Sequence, residues 1–131
     1  MPITDRNNED RVLTPDETAV LTWLLQNGEA SAKPAVSQVD RLRVSSRCQC
    51  GCCSIDFSVD GAVPPANSGM EVVSDFWWRT SRGNLCGVFA FLRNGMLAGM
   101  DFWSIDGQET PSELPQITDL RPMSHRHDAE T

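Results

Sequence analysis

Cys53-Ser54-Ile55-Asp56-Phe57-Ser58-Val59-Asp60 alternates apolar and polar residues at every step. A period of two marks a β-strand with one buried and one wetted face. Just upstream, Leu42, Val44 and Ser46 alternate with Arg41, Arg43 and Arg47, with Ser45 on the arginine side. The two runs read as a hairpin with Cys48–Cys52 at its tip. Pairing would set the arginines of the first run against Asp56 and Asp60 of the second, at no more than ~1 kcal/mol per cross-strand pair.

Downstream, two prolines and a glycine make Val63-Pro64-Pro65-Ala66-Asn67-Ser68-Gly69 a loop. Three more strands are predicted, over Met70–Thr80, Leu85–Leu92 and Met96–Ile105. Leu85–Leu92 is almost continuously apolar, as a central strand covered on both faces should be. Arg82-Gly83-Asn84 and Asn94-Gly95 join them, and Asn-Gly between apolar runs is a strong hairpin signal because both residues tolerate positive φ. Asp106-Gly107 ends the last strand. Pro111, Pro115 and Pro122 then imply an irregular crossing, anchored by Leu114, Ile117 and Leu120.

Upstream of the hairpin, Thr14-Pro15-Asp16-Glu17 combines an N-cap threonine, a proline at N1 and a glutamate at N3. Val20, Leu21, Trp23, Leu24 and Leu25 supply a wide apolar face, and Gly28 offers a stop. A helix is predicted over 15–27, with a second short helical turn opened by Pro34 and running through Val36 and Val39. The resulting fold class is α+β, with one or two N-terminal helices packed on a four- to five-stranded antiparallel meander sheet.

The chain has 131 residues, the size of one domain, and we read 1–131 as such, with 1–10 and 123–131 flexible. It can bury a core without the help of disulfides or a metal. No apolar run approaches the ~20 residues of a membrane-spanning helix. A net charge of −7 disfavours nucleic acid and anionic membranes and suits a basic protein partner. Five cysteines, an odd number, behind a polar N-terminal stretch, point to a reducing cytoplasm.

Four of those cysteines lie within Cys48-Gln49-Cys50-Gly51-Cys52-Cys53. Thiolates are soft ligands suited to zinc, copper(I) or an iron–sulfur cluster. The spacing departs from the Cys-x2-4-Cys pairs of structural zinc sites, and gathering the four sulfurs on one ion would contort the segment. On an extended hairpin Cys48, Cys50 and Cys52 share one face and Cys53 takes the other. A metal would therefore use Cys48, Cys50 and Cys52, completed by Cys86 or an external ligand. The plainer reading makes Cys53 a core residue and the others small residues in a turn opened by Gly51. No cofactor is expected on that reading, and zinc is the ion considered on the other.

His125 and His127 sit near the chain end, a poor place for a rigidly held catalytic imidazole. Asp101, Asp106, Glu109, Glu113 and Asp119 fall in a stretch without lysine or arginine, which reads as a solvated face or as a docking surface for a basic partner. An enzyme built on these groups would need a deep pocket lined by two or more of Asp56, Asp101 and Asp106. Trp77 and Trp78 must point to opposite faces of a strand, and so must Phe102 and Trp103. One of each pair fills the core, and the other is covered or marks a contact surface.

Short pieces of the chain resemble small uncharacterised bacterial proteins, some of them immunity-protein-like. These are Arg11-Val12-Leu13-Thr14-Pro15-Asp16-Glu17, Arg47-Cys48-Gln49-Cys50-Gly51-Cys52, and Ile105-Asp106-Gly107 followed by Glu113-Leu114-Pro115. The resemblance implies a cytoplasmic accessory or inhibitor-like protein and carries over no functional residues. The expected function is a non-enzymatic protein-binding module, with Trp77, Trp103, Asp101, Asp106, Glu109 and Glu113 as contact residues. The alternative is a thiolate metal site at the hairpin tip.

Overall fold

The structure, a computed structural model, describes residues 6–123. It is an α+β fold in which helix α1 (Pro15–Gln26) and a run of 3-10 turns (Ala30–Arg41) lie against an antiparallel sheet. The strands are β1 (Arg6–Arg11), β2 (Leu42–Cys48), β3 (Ile55–Val59), β4 (Met70–Arg79), β5 (Leu85–Arg93), β6 (Met96–Ser104) and β7 (Arg121–Pro122). Their order across the sheet is β1-β2-β3-β6-β5-β4-β7. Among the described residues no helix is long and apolar enough to cross a membrane.

Two expectations are corrected here. The sheet has seven strands rather than four or five, and both extra strands are edges. β1 occupies part of the expected flexible lead-in. Its residues lack any apolar alternation, and it is held by charge: Arg43 pairs with Asp10 at 2.6 Å and Arg47 with Glu9 at 3.1 Å. Those arginines turn to β1, and Ser46 stands opposite Asp56 and donates to it at 2.7 Å. Asp60 pairs with an arginine of the expected set, Arg41, at 2.7 Å. The second correction concerns topology. The sheet is two three-stranded meanders side by side with β7 added at the β4 edge, and β3 lies against β6 rather than β4. The proline-bearing segment after Val59 is long enough to carry the chain to the far side. His125 and His127 lie outside the described residues.

The β3–β6 seam is short, registering Ile55 with Met100 and Asp56 with Gly99. Ser54 extends it. Its buried hydroxyl accepts the Phe102 N–H at 2.8 Å and donates to the Phe102 carbonyl at 3.1 Å, in place of a backbone rung. The Asn94-Gly95 turn forms as expected, with φ of 52° and 76°.

The capping box of α1 is complete: Thr14 Oγ1 accepts the Glu17 N–H at 3.1 Å, and Glu17 Oε1 accepts the Thr14 N–H at 2.9 Å. The Arg11 guanidinium grips both Glu17 oxygens, at 2.9 and 3.0 Å, tying β1 to the helix start. Val20, Leu21, Leu24 and Leu25 are buried in the same cluster as Phe57, Val73, Val88 and Met100. Each such burial contributes roughly 1.5–3 kcal/mol. At the far end Ser74 donates to the Leu24 carbonyl at 2.6 Å, and Gly28 lies so close to the Val73 carbonyl that a Cβ there would clash. Trp78 and Phe102 fill the core, meeting edge to face at 6.1 Å, while Trp77 and Trp103 take the outer face.

Candidate metal centre

The β2–β3 hairpin forms, but its tip is not extended. Cys48 closes β2, and Gly51 turns the chain with φ of 94°. The turn points successive backbone N–H groups back at sulfur. The Cys50 N–H donates to Cys48 Sγ at 3.4 Å, and the Cys52 N–H donates to Cys50 Sγ at 3.3 Å. The thiol sulfurs of Cys48, Cys50 and Cys52 consequently all lie within 4.8 Å of one another, with Cys48 and Cys50 at 2.8 Å. Such N–H···S bonds stabilise charge on sulfur, the form that a metal requires.

The base of the tip is firm. The Cys48 N–H donates to the Ser54 carbonyl at 3.2 Å, and the Cys53 N–H donates to the Pro111 carbonyl at 3.0 Å. The C-terminal crossing thus braces the hairpin from the side. Gly51 itself is open, with nothing near the position of an added Cβ.

Cys50 and Cys52 are electrostatically unequal. Burial, together with thiol neighbours Cys48 and Cys52, pushes Cys50 up to about 12. Burial also works against ionisation of Cys52, but hydrogen bonds from Cys50, Ser54 and Cys48 outweigh it and hold Cys52 below the ordinary thiol range. Of these two, Cys52 is the more readily ionised.

Cys53 and Cys86 stand apart. Cys53 is half-buried against the core, and burial raises its thiol to about 11. Cys86 is fully buried on β5, in register with Trp78 and Ser104, and burial likewise raises it to about 11. Cys86 does not join the sulfur cluster, because its position on β5 buries it in the core between Trp78 and Ser104.

The expected contact residues divide into two groups. Trp77, Gly87 and Trp103 form one cross-strand row on the outer face, next to the row that holds Phe89 and Asp101. The Trp103 indole lies over Gly87, where a Cβ would come 2.5 Å from Nε1, and it is 41% exposed. Trp77 and Asp101 are half-buried. The other three residues belong to the C-terminal crossing. Asp106 accepts the Leu85 N–H at 2.8 Å and the Gln108 N–H at 3.1 Å. Glu109 accepts from the Thr80 hydroxyl at 2.6 Å and the Asn84 amide at 2.8 Å. These bonds hold both carboxyls below their usual range and tie the crossing to the β4–β5 turn. Glu113 lines a cleft of about 400 Å³ with Arg79 and Arg82. Asp56 and Asp101 line a separate hollow of about 280 Å³ under the Val63–Pro64 segment, and Asp106 is not part of it.

The sequence pattern grouped Cys48, Cys50 and Cys52 on one face, but because period-two reasoning treats the tip as extended it did not show how closely their sulfurs approach. The signal for that approach is Gly51, already read as opening a turn, the one residue there able to take the backbone through positive φ. No protein-family model matches the chain, no curated protein matches it and no solved structure matches it.

Proposed function

We propose that this chain binds a soft metal ion through Cys48, Cys50 and Cys52 at the tip of the β2–β3 hairpin. The observation that carries the reading is the mutual approach of the three sulfurs within 4.8 Å, helped by N–H···S bonds from Cys50 and Cys52. Thiolate sulfur selects soft or borderline cations over magnesium and calcium. The thiols must be reduced to act as ligands, so a cytoplasmic, reducing setting belongs to this reading. The test is elemental analysis of untagged protein purified under reducing conditions, alongside thiol labelling. About one equivalent of metal that shields three thiols from iodoacetamide is expected. Metal far below one equivalent after reconstitution, with all exposed thiols reacting freely, would sink the proposal.

A second reading, a non-enzymatic protein-binding module of the immunity or inhibitor kind, is supported by one observation: Trp103 is 41% exposed on the outer sheet face. Contiguous exposed aromatic surface marks contact sites, and the net charge of −7 would steer a basic partner. Trp103→Ala should leave the melting temperature nearly unchanged while Trp77→Ala lowers it. If both variants simply unfold, the aromatics are structural and this reading fails.

A further inference from the structure

The tip offers a particular number of donors as well as a particular kind. Among the described residues, the group of ligand atoms that could converge on one ion consists of the Cys48, Cys50 and Cys52 sulfurs, with no carboxylate or fourth thiol in it. Cys53, the next sulfur along the chain, faces the core and has its N–H tied to the Pro111 carbonyl. Cys86 is fully buried in the core. Recruiting either one would mean unpicking the β3 entrance or the core.

Resting on the metal reading above, we infer that the site is a three-coordinate, all-sulfur site and that its ion is monovalent copper rather than zinc. Structural zinc is held by four protein donors in a tetrahedron, which this tip cannot supply. Copper(I) is softer and prefers thiolate, and a plane of three thiolates satisfies it without a fourth donor. With metal–sulfur bonds of about 2.3 Å, a planar three-sulfur site spaces its sulfurs ~4 Å apart. That spacing lies inside the 4.8 Å envelope already present. Cys48 and Cys50 must separate from 2.8 Å, and the open turn at Gly51 beside them has the freedom to let them do so.

The test uses the full chain, reduced and kept free of oxygen. It is titrated in parallel with copper(I), supplied as its acetonitrile complex, and with zinc(II), and both products are studied by X-ray absorption. The expected result is one equivalent of copper(I) with three sulfur neighbours. Zinc should bind more weakly, complete its shell with water and be displaced by copper(I). Cys48→Ser, Cys50→Ser and Cys52→Ser should each lower copper affinity by at least the ~10–100-fold that losing even a supporting partner of a metal ligand costs. Cys53→Ser, Cys86→Ala and the double variant His125→Ala/His127→Ala should bind as the parent does. The wild-type absorption spectrum decides the donor count even if Cys86→Ala fails to fold. Zinc held by four protein donors, or a loss of copper affinity in Cys53→Ser or the double histidine variant, would overturn the three-sulfur inference while leaving the metal reading intact. Neither ion reaching one equivalent would overturn the metal reading itself.

Discussion

Ser54 shows how much a single side chain can decide. It sits between the cysteine tip and β3, and its hydroxyl both accepts from and donates to the Phe102 backbone. Ser54→Ala would leave a buried N–H and a buried carbonyl unpaired, at a cost of about 1–3 kcal/mol. Urea unfolding should show that loss, and Ser54→Cys should not restore it, because sulfur is the weaker partner. Glu17 is a second such residue. Burial alone would raise its carboxyl, but the Arg11 guanidinium and the Thr14 backbone and hydroxyl outweigh it and hold it low. A carboxyl lowered on folding adds stability above its unfolded value, about 4.3, and that contribution is lost as pH falls through the folded value. Glu17→Gln should therefore reduce stability at neutral pH and flatten the dependence below about pH 4.3, measured by thermal melts across pH. The roles of the Thr14 cap and Glu17 were legible in sequence, since the capping box is local. The role of Ser54 was not, because its partner lies across a seam that no local pattern announces.

At the scale of elements, legibility follows the origin of stability. Helix α1 and strands β2 to β6 bury apolar faces, so their periodicities appear in the sequence with boundaries close to those observed. β1 buries little, and its order comes from pairing with β2 and from Asp10–Arg43 and Glu9–Arg47, partners more than thirty positions away. Exposed pairs of this kind contribute about 0–1 kcal/mol each and are screened by salt. Arg43→Ala/Arg47→Ala should thus speed amide exchange in β1 selectively, as should high salt in the parent, with little change in the global melting temperature. Equal loss of protection throughout the sheet would contradict an edge held by charge. The cysteine tip follows the same rule in reverse. Its sequence advertised four sulfurs, but the backbone turn that gathers three of them depends on Gly51 and on N–H···S bonds absent from an extended strand.

For the molecule as a whole, the two meanders share one apolar cluster that also takes in α1 and Leu120 of the C-terminal crossing. The short seam between β3 and β6 is thereby backed by a common core. Leu24→Ala, at the centre of that cluster, should cost about 2–5 kcal/mol. Both the parent and the variant should unfold in one transition, with near- and far-ultraviolet circular dichroism melts superimposing. Separate melts would mean that the meanders are energetically independent.

By itself the sequence determined the α+β class, the capped helix, the five apolar strands and the identity of the soft ligands, because each rests on residue chemistry or on a short-range period. The tertiary structure alone decided the charged edge strands, the placement of β3 beside β6, the removal of Cys86 from the thiol cluster and the convergence of Cys48, Cys50 and Cys52. All of these depend on which distant segments meet, and on a turn geometry in which hydrogen bonds to sulfur override the extended backbone that alternation implies.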